Sequence, residues 1–217
     1  MIKKNILVVG LKTFGMSIVK QLSQYNCEVL AIDKEMEKVE EADEYATHAI
    51  QVDIRNAEEI AELSLNSFDI AIITLDDIEA SIMASLIFKE HGIGTVIVKA
   101  KNSIHKRILQ KMDVDKIISP DEEMGKKLAK SIMNVSVIDA INFSDDYSIL
   151  EINVPEKWMG KTIAKLDLRN EYGMNVLCVK HPAKEIEISP APEYMTGKGD
   201  ILVAIVENSK IESTDLK

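Results

Sequence analysis

The sequence is short of positive charge. Its 217 residues carry 26 Lys and Arg against 36 Asp and Glu, a formal net charge of −10. Nucleic-acid binding needs a basic face, so no nucleic-acid partner is expected. A small anionic ligand remains compatible, because backbone amides hold phosphate without any net positive charge. Long apolar runs are missing too. The longest stretch free of charged residues is nine, at 80–88, where a membrane span needs about 20 apolar residues. The N-terminus runs straight into a strand pattern without an apolar leader. The expectation is a cytoplasmic protein with no direct membrane insertion, so that any membrane role comes through a partner.

Cysteine is scarce: Cys27 and Cys178 form no C-x-x-C pair and read as reduced core residues, with a regulatory thiol as the alternative. His48, His91, His105 and His181 make no H-x-H or H-E-x-x-H spacing, which argues against a zinc site. There is no G-x-S-x-G elbow and no G-x-x-x-x-G-K-[ST] loop. Tyr194 and Lys198 have the spacing of a dehydrogenase acid/base pair, but that pair needs a helix. Here Gly197 and Gly199 interrupt the segment and Pro192 precedes it. No catalytic group emerges, and the chain is expected not to be an enzyme.

What is present is alternation. Strand-length apolar runs at 5–9, 28–33, 49–53, 69–75, 95–99 and 116–119 are separated by helical patterns at 14–24, 35–43, 57–65, 78–91 and 103–112. Five β-α units and a sixth strand imply an α/β fold: a Rossmann-type doubly wound parallel sheet, with a ligand crevice where the strand order reverses. After Pro120 the pattern changes. Residues 121–133 read as a helix with acids at its start and lysines later, and 134–142 as a connector or a further short helix. Strands at 147–154, 175–180 and 200–206 with a short helix at 161–167 make a small α+β domain of three or four strands. Residues 1–134 are expected to form the nucleotide-binding domain and 135–217 the connector and C-terminal domain. The latter is small enough that dimerisation is expected.

The first turn reads Gly10-Leu11-Lys12-Thr13-Phe14-Gly15. A dinucleotide turn asks for glycine at three places, for the tight turn, for pyrophosphate approach and for helix packing. Gly10 and Gly15 supply the first and third; Lys12 stands at the second. Asp33, with Lys34 beside it, ends the second strand where an acid accepts from a ribose hydroxyl, and no arginine is adjacent for a 2′-phosphate. Asp33 reads otherwise as an exposed strand-end acid. Asp53 ends the third strand, with Ile54 next to it, and is placed to face an adenine ring or to serve as an N-cap or turn acid. Thr74, Asp76 and Asp77 end the fourth strand beside the crevice, Asp77 also suiting a helix cap. Asp121, Glu122 and Glu123 offer hard-cation ligands or simply suit a helix start.

These segments together resemble the RCK (KTN) family of cytoplasmic regulators of bacterial potassium channels and transporters, and within it the KtrA- and TrkA-like subunits. The stretches that carry the likeness are VVGLKTFGMSIV, EVLAID, ATHA, KAKN, IISPDEEMG, DDYSI, LRNEYG and ISPAPE, in that order. The resemblance implies a regulator: a homodimer assembled into an octameric ring beneath a membrane-embedded potassium-translocating subunit. It implies an adenine nucleotide (ATP or ADP, less favoured NAD(H)) held by Gly10, Gly15, Asp33, Asp53 and Lys99, with Lys12, Thr13 and Phe14 of the same turn as further candidate contacts. It further implies cyclic di-AMP at the C-terminal dimer interface by Ile163, Ala164, Arg169, Asn175 and Pro192, and a divalent cation at Asp121 or Glu122. The family commonly reads Gly-x-Gly-Arg-Phe-Gly; Lys12 and Thr13 replace the second glycine and the arginine, so ATP-versus-ADP discrimination is expected to differ. A nicotinamide-dependent oxidoreductase is the alternative function, and a redox-sensing transcription factor the third.

Overall fold

The computed structural model describes residues 3–133, 137–144, 146–182 and 185–211. The chain divides into two compact units, Met1–Pro120 and Asp121–Lys217, so the division falls one residue inside the helix that begins at Pro120.

The first unit is built on β1 (Lys4–Val9), β2 (Cys27–Asp33), β3 (His48–Gln51), β4 (Ile70–Ile73), β5 (Thr95–Lys99) and β6 (Lys116–Ile118). They pair in parallel in the order β3-β2-β1-β4-β5-β6. Between them run α1 (Thr13–Leu22), α2 (Met36–Asp43), α3 (Ala57–Ala61), α4 (Ile78–Glu90) and α5 (Ser103–Lys111). A sheet covered on both faces needs strands that are apolar at successive positions. Ile6, Leu7, Val8 and Val9 are accordingly all buried. Leu7 and Val9 pack with Ile32, Ile73, Phe88 and Val98, while Ile6 and Val8 pack with Met16, Val19, Val29 and Ala31. Asn56, Asp77 and Asn102 cap α3, α4 and α5 by accepting from Glu58 N, Ala80 N and His105 N. The helical pattern at 57–65 is shorter than its periodicity suggests: α3 stops at Ala61 and a 3-10 turn follows at Leu65–Ser67.

His105, on α5, is wholly buried. Its Nδ1 accepts from Lys101 N at 3.2 Å, and its Nε2 has no hydrogen-bond partner among the described residues. Burial, reinforced by the Lys101 charge, holds its pKa below the ordinary 6.5. The unfolded chain therefore binds a proton below about pH 6.5 that the folded chain resists, so stability is retained above that pH and lost as pH falls through it. Denaturant midpoints between pH 7 and pH 5 should drop, and His105→Leu should flatten that limb; an unchanged pH slope in the variant would discount His105 as its source.

The second unit opens with α6 (Pro120–Met133), where proline suits a helix start and three acids follow. Met124, Leu128 and Ile132, four residues apart on one face of α6, are all exposed. Then come β7 (Val137–Asn142), β8 (Tyr147–Asn153), α7 (Ile163–Leu166), α8 (Leu168–Tyr172), β9 (Met174–Lys180), β10 (Ile186–Ile188), β11 (Ile201–Glu207) and α9 (Asn208–Ile211). The sheet is antiparallel, in the order β10-β9-β11-β8-β7. It thus holds five strands where the sequence suggests three or four. Within 134–142, read from sequence as a connector or short helix, residues 137–142 form a strand paired to β8, with Ile141 opposite Ile149; residues 134–136 lie outside the described residues. One face buries Leu150, Ile152, Leu202 and Ala204 against Trp158, Leu166 and Leu168. On the other face Ile141, Ile149, Ile205 and Asn175 form one cross-strand row, with Ile141 58% exposed.

Candidate functional site

The first-unit site sits at the carboxyl ends of β1 and β4, where the strand order reverses. Gly10 turns the chain with φ +93°, a conformation that disfavours any side chain, and an added Cβ would lie 3.0 Å from Thr74 Oγ1. Gly15 lets α1 press on that turn: a Cβ there would fall 1.8 Å from the Gly10 carbonyl oxygen. The Thr74 hydroxyl, buried, donates to Gly10 O at 2.5 Å. Thr74 therefore binds the turn to the strand beside it.

Lys12 is extended (φ −68°, ψ −176°) and is the residue immediately before α1. Its head leaves the turn to meet Asp76 Oδ2 at 3.2 Å. Asp76 Oδ1 accepts from Lys99 Nζ at 3.0 Å. Lys99, and then Lys12, hold the Asp76 carboxyl below its usual range against the opposing effect of burial. Thr13 is exposed and Phe14 half-buried, with the Phe14 ring 6.0 Å from Lys99 Nζ.

Asp33 is nearly buried, 8% exposed. Its Oδ2 accepts from Leu11 N at 2.6 Å and its Oδ1 from Glu35 N at 3.0 Å. Each carboxylate oxygen has a second lone pair, so acceptance from a ribose hydroxyl stays open. The exposed strand-end reading of Asp33 is incorrect, because the first turn folds over it. Asp53 Oδ1 accepts from Arg55 N at 3.0 Å, forming a turn, and Ile54 is buried.

Gly10, Lys12, Asp33, Lys34, Asp53, Ile54 and Thr74 line one cleft. Thr13, Phe14, Gly15 and Lys99 are not among its lining residues. Sequence reading missed Arg55, which lines the same cleft although no arginine is near Asp33 in sequence. Pairing of β3 with β2 brings the segment after β3 alongside Asp33. The Arg55 guanidinium is 2.8 Å from Asp77, which also caps α4. The cleft thus offers carboxylate acceptors, a buried isoleucine, and two cations, Lys12 and Arg55, whose charges are met by Asp76 and Asp77.

In the second unit, Ile163 N donates to Tyr194 O at 3.0 Å and Ala164 N to Pro192 O at 2.9 Å. The start of α7 is thereby joined to the loop carrying Pro192. Arg169 on α8 and Asn175 on β9 are both exposed. Asp121 and Glu122 are exposed in the first turn of α6, with Glu122 2.5 Å from Lys126. No cluster of three or more metal-ligating side chains occurs among the described residues. Tyr194 lies outside any helix. Its hydroxyl donates to Asp200 Oδ2 at 2.6 Å, and burial followed by Asp200 raises its pKa, opposite to what an acid/base tyrosine needs.

A family model described as the TrkA-N domain matches residues 6–120. Among known proteins, the Ktr system potassium uptake protein C of Bacillus subtilis (strain 168) is 37% identical over 204 residues, 94% of this chain and 92% of that protein. The Ktr system potassium uptake protein A of the same organism is 37% identical over 210 residues, 96% of this chain and 94% of that protein. Among solved structures, the GsuK RCK domain matches with a TM-score of 0.64 at 15% identity, covering 97% of this chain and 46% of that one, which supports the fold.

Proposed function

Because the chain belongs to the TrkA-N domain family and is homologous to Ktr potassium uptake proteins along nearly its whole length, we propose that it is a ligand-gated cytoplasmic regulatory subunit of a bacterial potassium channel or transporter. It catalyses no reaction. The first unit binds an adenine nucleotide, ATP or ADP before NAD(H), and the second binds cyclic di-AMP at a dimer interface. The dimer assembles into an octameric ring on a membrane-embedded potassium-translocating subunit, which holds it at the inner face of the membrane.

The observation that carries the nucleotide reading is the glycine turn at the β1/β4 reversal, with Asp33 locked beneath it and the cleft opening beside both. Asp33 and Asp53 suit the ribose and Ile54 the adenine. The positive end of α1 and Lys12 suit the phosphates, and Lys99 acts through Asp76. A fold neighbour described as the GsuK channel bound to NAD is reason to test NAD(H) beside ADP. The exposed apolar face of α6, and Ile141 at the end of its row with Ile149 and Ile205, support self-association, since a lone chain leaves Met124, Leu128, Ile132 and Ile141 to water. Asp121 or Glu122 is the carboxylate offered to a divalent cation. Gating follows if the ligands bind two states of the ring with different affinity.

Equilibrium binding of ATP, ADP, NADH and cyclic di-AMP to the purified protein tests this directly. Binding of none of the four would sink the sensor reading, and turnover of NADH would favour an oxidoreductase. For the second unit, Arg169→Ala should weaken cyclic di-AMP binding about 100-fold, because a guanidinium–phosphate pair is charge-assisted and bidentate. Unchanged affinity in that variant would move the ligand elsewhere.

A further inference from the structure

The residues that replace the family's second glycine and that follow β4 meet in space. Asp76 accepts one ammonium on each oxygen, Lys12 at 3.2 Å and Lys99 at 3.0 Å. Lys99 is the better enclosed of the two, 15% exposed at its side chain against 60% for Lys12. Lys12 directly precedes α1, whose first amides and dipole favour an anion. Both Lys12 and Asp76 line the cleft. An anion position with a helix start and two lysines beside it is therefore already served by a carboxylate of the protein itself.

We propose that Asp76 is a built-in counter-anion at the phosphate end of the cleft, which competes with a phosphate-bearing ligand for Lys12 and Lys99, so that Asp76 sets how strongly the cleft favours phosphorylated over unphosphorylated nucleosides. The inference rests on the nucleotide reading of the first unit. A phosphate brought beside these lysines approaches a like charge. Either the Asp76 side chain swings away and gives up two ion pairs, or the phosphate stays outside and the nucleoside end alone binds. In both cases the carboxylate reduces the gain from each added phosphate charge. The Asp76 side chain is 40% exposed, so it has room to leave without disturbing the core. Lys12 then has two roles, partner of Asp76 without ligand and partner of phosphate with it.

Titrating adenosine and ADP into the full chain and into Asp76→Asn separates these ideas. Asparagine keeps the shape and removes the charge. ADP should bind the variant about tenfold more tightly, with adenosine changed by less than about twofold. Adding Lys12→Met together with Lys99→Met to that variant should remove most of the ADP gain. ADP affinity that is unchanged or weaker in Asp76→Asn, with adenosine still bound, overturns the role of Asp76 and leaves the nucleotide reading standing. Absence of both ligands from both proteins overturns that reading and this inference together. A gain that survives Lys12→Met together with Lys99→Met also overturns it, because the freed lysines are then not its source. Asp76→Ser gives an independent check with a shorter uncharged side chain, and the same ADP gain is expected.

Discussion

Gly15→Ala should destabilise the first unit by about 3–5 kcal/mol, enough to lower its melting temperature by roughly 15–25 °C. The added methyl would stand 1.8 Å from the Gly10 carbonyl oxygen and 2.6 Å from Thr74 Oγ1. Neither can easily give way. Gly10 N donates to Ile32 O at 2.8 Å, its oxygen accepts from Thr74 Oγ1, and Thr74 N donates to Val9 O at 2.8 Å. Relief requires α1 to lift from the sheet, which uncovers Met16 and Val19. Gly125→Ala is the matching control. Nothing lies within 4 Å of a Cβ there, and in the exposed interior of α6 alanine should add about 0.5–1 kcal/mol. Thermal unfolding, with amide exchange over β1 and β2 for Gly15→Ala and over α6 for Gly125→Ala, reads both. A Gly15→Ala protein that melts within about 3 °C of the parent would mean that the turn relaxes in a way the packing does not suggest.

Asp33→Ala should combine a loss of about 2–3 kcal/mol in stability with loss of nucleotide binding. The carboxylate is nearly buried and accepts from Leu11 N and Glu35 N. Truncation orphans the Leu11 amide, on a residue only 1% exposed, and a buried unpaired donor costs more than the bond itself contributes. Asp33→Asn keeps one acceptor and turns an NH₂ toward the other amide, so about half the loss is expected. Urea midpoints with and without saturating ADP separate the two roles: the parent gains stability from the ligand, and Asp33→Ala should gain none. A variant of parental stability would show that Leu11 N finds another acceptor.

The first unit was legible because its four central strands are marked by local burial. Ile6–Val9 and Ile70–Ile73 are too apolar for a surface, and Gly10, Gly15 and Asp33 are demanded by the backbone around them. The second unit was less so. In β7, Asp139 interrupts the apolar pattern, and the ladder to β8 shifts register between Val137 and Asp139. β10 is three exposed residues whose strand character comes from pairing with β9. Arg55, and the lysine partners of Asp76, escaped notice for a related reason. Neither Arg55 nor Asp76 has a sequence neighbour that hints at its partner; sheet order brings Arg55 to Asp77 and Asp76 to Lys12 and Lys99.

The double use of Asp33 has a consequence for how this site can change over generations. Its carboxylate holds the turn whether or not a ligand is present, so drift at this position is penalised by misfolding before specificity enters. Lys12, Arg55 and Asp76 carry exposed or half-exposed ion pairs, and replacing such a pair costs about 1 kcal/mol or less. Diversification of ligand preference among descendants of this chain should therefore accumulate at those three positions, while the aspartate beneath them stays fixed.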